Sequence, residues 1–138
     1  MSRSGYSEDC DGWAMIRWRG AVASAIRGKR GQAFLREMLD ALDAMPVKRL
    51  IDDDLVHGGE VCAIGSVGVK RGIDMSKIDP HDRDQVAEAF DIPRALACEI
   101  EFENDDGCGW RHDTPEQRFG RMRAWVESHI KKTPTPAG

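Results

Sequence analysis

The chain has 138 residues, 41% hydrophobic and 32% charged, which suits one globular domain and is not the composition of a disordered chain. A chain this long buries roughly 70% of its unfolded surface, so it needs no metal or disulfide to fold. No apolar run approaches the roughly 20 residues that span a bilayer, and the opening Met1-Ser2-Arg3-Ser4-Gly5 is not a signal peptide, so a cytoplasm is the expected location.

The net charge of −4 is unevenly spread. Residues 12–36 carry Arg17, Arg19, Arg27, Lys29, Arg30 and Arg36 and no acid; residues 1–11 sum to −2 and the remainder to −8. This layout bears on partners and fields, not on fold. Cys10, Cys62, Cys98 and Cys108 are far apart, with no C-x-x-C pair. Reduced thiols follow, with Cys62 and Cys98 as small core residues.

Residues 1–11 read as a polar arm, in which Ser7 or Asp11 is a possible helix cap. The first helix is predicted over 13–27, with Met15, Trp18, Val22, Ala25 and Ile26 as its buried stripe. Arg17, Gly20, Ser24 and Arg27 fall on the other side. Gly28-Lys29-Arg30-Gly31 ends it, with glycine supplying a positive φ. A second helix over 32–45 presents Phe34, Leu35, Met38, Leu39, Leu42 and Met45, pairs Arg36 with Asp40, and stops at Pro46. Together the two read as an antiparallel hairpin.

Residues 47–58 form a connector with a possible extended piece at 47–51, closed by Gly58-Gly59. Over 61–69 the alternation of Val61, Ala63, Gly65, Val67 and Val69 favours a strand. No partner strand of similar length is evident, so a buried helix whose glycines permit close packing is preferred. A loop over 72–80 leads to a helix over 82–90, a break at Asp91-Ile92, and a further helix opened by Pro93 and carrying Leu96, Ala97, Ile100 and Asn104. After a loop over 105–110, Thr114-Pro115-Glu116-Gln117 is a capping box for the last helix, with Phe119, Met122, Trp125, Val126 and Ile130 inward. Residues 132–138 are a frayed tail. The expected fold is all-α: a single-domain bundle of about five or six helices spanning 12–131, with a possible short β element near 47–69.

The basic run Arg17, Arg19, Arg27, Lys29, Arg30 is the strongest candidate site. Guanidinium groups give bidentate donors to phosphate, and glycine lets backbone amides approach it. Trp13 or Trp18 can stack on a base where exposed, although Trp18 lies on the apolar stripe. The alternative for the turn is an ordinary solvated charged face. Residues 85–104 have helix-turn-helix shape, but Glu99, Glu101, Glu103, Asp105 and Asp106 would repel phosphates. Glu99, Glu103 and Asp106 share a helical face, and with Asp52-Asp53-Asp54 they offer a second candidate, a negative surface for a basic partner. Cys108 and His112, with His81 and Cys10 elsewhere, fall short of a zinc set. No phosphate loop, nucleophile elbow, zinc-protease or dinucleotide motif is present. No catalytic residue, cofactor or metal is therefore expected.

Ser2-Arg3-Ser4-Gly5-Tyr6, Asp11-Gly12-Trp13, residues 16–22 and 25–32, Gly59-Glu60-Val61-Cys62-Ala63 and residues 121–126 resemble a family of small proteins of tailed bacteriophages and prophages. The resemblance covers nearly the whole chain, and its N-terminal block is the most specific part. It implies a host bacterial cytoplasm and an accessory role, but transfers no site residues. The expectation is a non-enzymatic protein that binds a host protein complex, inhibiting a defence system or redirecting host machinery. The alternative is a nucleic-acid-binding regulator that uses the basic 17–36 segment.

Overall fold

The computed structural model describes residues 12–106 and 113–131. Among them lie six α-helices: α1 (Gly12–Arg27), α2 (Lys29–Ala44), α3 (Ala63–Arg71), α4 (Arg83–Phe90), α5 (Arg94–Asp106) and α6 (Pro115–His129). A two-stranded antiparallel ribbon, β1 (Val56–His57) and β2 (Glu60–Val61), precedes α3, and a 3-10 turn spans Met75–Lys77. The all-α bundle with a short β element is the architecture expected.

The α1–α2 junction is tighter than the sequence suggests. Gly28 alone separates the helices, and it is extended (φ −69°, ψ 164°), not left-handed. Gly31, expected in the turn, lies inside α2. A Cβ there would stand 1.8 Å from the Ala25 carbonyl oxygen, so glycine is needed for close approach of α2 to the last turn of α1. Buried Gln32 holds the corner: its Nε2 donates to the carbonyls of Ile26 (2.7 Å) and His129 (2.9 Å), and its Oε1 accepts from Lys131 N–H (2.8 Å). One amide thus satisfies helix-end carbonyls of α1 and α6 that have no intrahelical donor.

The extended piece expected at 47–51 is not a strand. The ribbon forms further on, where Gly58 (φ 59°) and Gly59 (φ 82°) take the left-handed conformations of a two-residue hairpin turn. The ambiguous stretch 61–69 resolves into the last ribbon residue followed by helix α3. Its glycines do permit close packing. A Cβ at Gly65 would stand 2.0 Å from the Leu55 carbonyl oxygen, and one at Gly68 would stand 2.3 Å from Met75 Sδ.

Helix α5 is the axis of the bundle, packed against α1, α3, α4 and α6. It buries Leu96, Ala97, Cys98, Glu99, Ile100 and Asn104. The α4–α5 pair has a left-handed Asp91 at its turn (φ 54°), which gives the helix-turn-helix outline seen in the sequence. Between its exposed ends α5 leaves only half-buried positions, among them the acidic Glu101, Glu103 and Asp105, which suit a DNA groove poorly.

Helix α6 begins at the expected capping box, with Thr114 Oγ1 accepting from Gln117 N–H and Gln117 Oε1 accepting from Thr114 N–H. A charged cluster buried behind it was not foreseen. Arg118 pairs with Asp113 at 2.9 Å, both side chains under 10% exposed, and donates to the Leu50 carbonyl at 2.9 Å. Arg121 pairs with the same carboxylate at 2.7 Å and reaches the Glu103 and Asn104 carbonyls. One carboxylate thus holds two guanidiniums, with backbone carbonyls accepting from some of their spare donors while Arg118 Nε is buried without a partner. The expected i, i+4 partner of Arg36 is replaced by a backbone one: its Nη2 donates to the Lys131 carbonyl at 2.9 Å.

Candidate functional site

The outward face of α1 combines two features that rarely coincide on a solvated helix. Trp13 is 69% exposed and Ile16, one turn on, is 61% exposed. Arg17, Gly20, Ser24 and Arg27 continue the same stripe, all exposed as their spacing predicts. Trp18 sits on the opposite side, 5% exposed, as the apolar periodicity implies. Trp13 is therefore the aromatic available to a partner.

Among the described residues Arg17, Arg19, Arg27 and Lys29 are exposed and make no ion pair. Arg30 pairs with Asp91 at 3.0 Å, but the two side chains are 60% and 88% exposed, so the pair holds the arginine weakly. The structure thus brings the five basic candidates together along α1 and the α1–α2 corner. Ile16 was missed from sequence. Its signal was the spacing from Trp13 and the absence of an inward partner at the next turn, where Gly20 stands.

The acidic candidates are distributed differently from expectation. Glu99 is 2% exposed, inside the protein, and cannot be part of a negative surface. Glu103 is half-buried, and only Asp106 is exposed. The reason is packing: α1 lies along α5 in the same direction, covering the face on which Glu99 and Glu103 stand. These two carboxylates line a cavity of about 480 Å³ with Trp18, Arg19, Trp125 and His129.

The remaining acids gather at the far end of α5. Asp53 N–H donates to Asp105 Oδ1 at 3.4 Å, and Asp52 lies 3.8 Å from Arg118. Burial pushes the Asp105 carboxyl above its usual value, and the charges of Asp53 and Asp52 add to that, against hydrogen bonds from Asn104 and the Asp53 N–H. Burial likewise raises Glu101, against the nearby Arg83. Desolvation pushes the buried Cys62 thiol up to about 12, so it is no nucleophile near neutral pH. Among the described residues no group of three or more His, Cys, Asp or Glu side chains could hold a metal ion. Cys10, Cys108 and His112 lie outside the described residues, as do the expected N-terminal arm and frayed tail. Among the described residues no helix is long and apolar enough to cross a membrane.

No family model matches the chain, and no curated protein or solved structure shows significant similarity to it.

Proposed function

We propose that this chain is a phage or prophage accessory protein that acts by binding. In this reading the outward face of α1 and the α1–α2 corner dock on an acidic surface of a host protein complex, inhibiting or redirecting it. The observation that carries the reading is the pairing of exposed Trp13 and Ile16 with four cations that make no ion pair among the described residues. Tryptophan and arginine dominate the energetics of protein interfaces, because each buries a large rigid surface and arginine adds directed donors. The resemblance to small phage proteins supplies the biological setting.

The test is a tagged pull-down from the bacterial host, split into nuclease-treated and untreated halves, with Trp13→Ala and Lys29→Glu variants alongside. A defined complex that survives nuclease and is lost from both variants supports the reading. Equal recovery by wild type and variants overturns it.

A second reading has its own support. The same cations with an exposed indole suit a single-stranded nucleic acid, whose bases stack on aromatic rings. Four unpaired cations would give a log–log salt slope of about −3 at most. Replacing Arg27, Lys29 and Arg30 by alanine should then abolish binding. Salt-independent affinity, or affinity unchanged in that variant, would sink this alternative.

A further inference from the structure

A Cβ on Gly31, Gly65 or Gly68 would collide with an atom of a neighbouring segment, so each of these helical glycines has a reason within the fold. Gly20, in the middle of α1, does not: nothing among the described residues lies within 4 Å of a Cβ built there. Glycine inside a helix lowers its stability relative to alanine, because the backbone has more freedom to lose. No contact within the described fold offsets that cost at Gly20. Gly120 in α6 has equally open surroundings. Its neighbours Arg123 and Glu127, however, are joined to each other, Arg123 is also joined to Asp43, and no large apolar side chain of α6 is exposed.

The surroundings of Gly20 are of another kind. Trp13 and Ile16 stand exposed one and two turns before it, and Arg17, Ser24 and Arg27 continue the same stripe. Of the five large apolar side chains exposed among the described residues, these two alone share a helix face. Residues 12–36 hold six cations and no acid, so the stripe has no carboxylate of its own segment to neutralise it. From Trp13 to Arg27 it is roughly 21 Å long, or about four turns. It has an apolar anchor at one end, a missing side chain in the middle and guanidiniums alongside. The distance between two packed helix axes depends on the side chains at the crossing, and a glycine there lets the second backbone come close. Cationic flanks select a partner of opposite sign.

Resting on the docking reading above, we propose that the partner presents an acidic amphipathic α-helix of about four turns to this face. Its apolar residues, one helical turn apart, cover Trp13 and Ile16. Its backbone crosses α1 at Gly20, and its carboxylates pair with Arg17 and Arg27. A nucleic-acid strand gains nothing from a missing side chain at position 20, whereas a crossing helix needs it.

The test uses a synthetic helical peptide of leucine, alanine and glutamate, about four turns long, with its leucines on one stripe. A second peptide has the same composition in an order that destroys the stripe. Each is titrated into the full chain and followed by backbone amide NMR. The expected result is a saturable shift centred on residues 13–27 with the striped peptide, and much weaker binding of the other. Gly20→Gln places a strong helix former in open space, so it should melt no lower than wild type. It should nevertheless weaken the striped peptide by about tenfold or more. Absence of a saturable shift on α1, equal binding of the two peptides, or affinity unchanged by Gly20→Gln overturns the proposal. An oligothymidylate that binds more tightly than the peptide and is indifferent to Gly20→Gln would assign the face to nucleic acid and overturn it. Self-association of the chain that is lost in Trp13→Ala would make a second copy the occupant and likewise overturn it. A host complex lost from Trp13→Ala and Lys29→Glu but retained by Gly20→Gln would overturn the helix assignment alone and leave the docking reading standing.

Discussion

Replacing Asn104 by leucine should cost a large part of the stability of the fold. Asn104 stands in the last turn of α5 and is 2% exposed. Its Oδ1 accepts from Ala63 N–H at 3.1 Å, and its Nδ2 donates to the Ile51 carbonyl at 2.9 Å and to Asp105 Oδ1 at 2.8 Å. Ala63 opens α3, so its N–H has no acceptor within that helix. Leucine keeps the branched heavy-atom skeleton but carries bulkier methyl groups, so some overpacking adds to the polar term. The Ala63 N–H is fully buried and would bear the whole desolvation cost, about 1–3 kcal/mol. Ile51 is half-buried, so water recovers part of its loss. A total of about 2–4 kcal/mol follows, against roughly 5–15 for a whole domain. Urea unfolding followed by circular dichroism should show the midpoint falling by on the order of 1 M at unchanged slope. A loss under about 0.5 kcal/mol would refute the view that this one side chain ties the connector, α3 and α5 together.

Two further expectations concern the bundle. Gly31→Ala should destabilise by about 2 kcal/mol or more, because its Cβ would meet the Ala25 carbonyl at 1.8 Å and force the first two helices apart. Gly20→Ala, with nothing within 4 Å of the new Cβ, should instead stabilise α1 by about 0.5–1 kcal/mol; thermal melts that move the same way for both would contradict the close-approach argument. Asp105→Asn should stabilise the protein at pH 7, since burial raises the carboxyl in the folded state and its charged form is therefore disfavoured there. The sign fixes the window: the gain is present above the raised value, shrinks as pH falls, and vanishes below the ordinary 3.8, where the acid is neutral in both states. A gain that grows on acidification would show that the Asp105 charge is favourable.

The helices were legible wherever apolar spacing and capping chemistry agreed. The Thr114 box placed the start of α6, and Asp82 and Asp91 bound α4 at its cap positions. The α1 stripe correctly separated buried Trp18 from exposed Arg17. The short β element expected near 47–69 forms within that stretch, at Val56-His57 and Glu60-Val61 around Gly58-Gly59, while the extended piece suggested at Val47 to Ile51 is not a strand. Gly28 is the turn residue expected, without the positive φ, but Gly31 was read as part of the turn because glycine punctuates chains. The actual role of Gly31, close approach of two backbones, depends on an atom from the other helix.

The candidate site shows the same division. Which residues of α1 face outward was determined by the sequence, because a 3.6-residue period sets which side chains share a face. So was the clustering of cations along α1 and the corner, since these residues are near neighbours in the chain. The fate of Glu99 and Glu103 was decided only by tertiary structure. Their spacing puts them on one face of α5, but α1, some 80 residues earlier in the chain, is what covers that face. The Asp113 carboxylate shared by two arginines and the Gln32 and Asn104 hubs arise in the same way. Periodicity reports on neighbours within one element, while burial of a polar group and its partner is a property of two elements that meet.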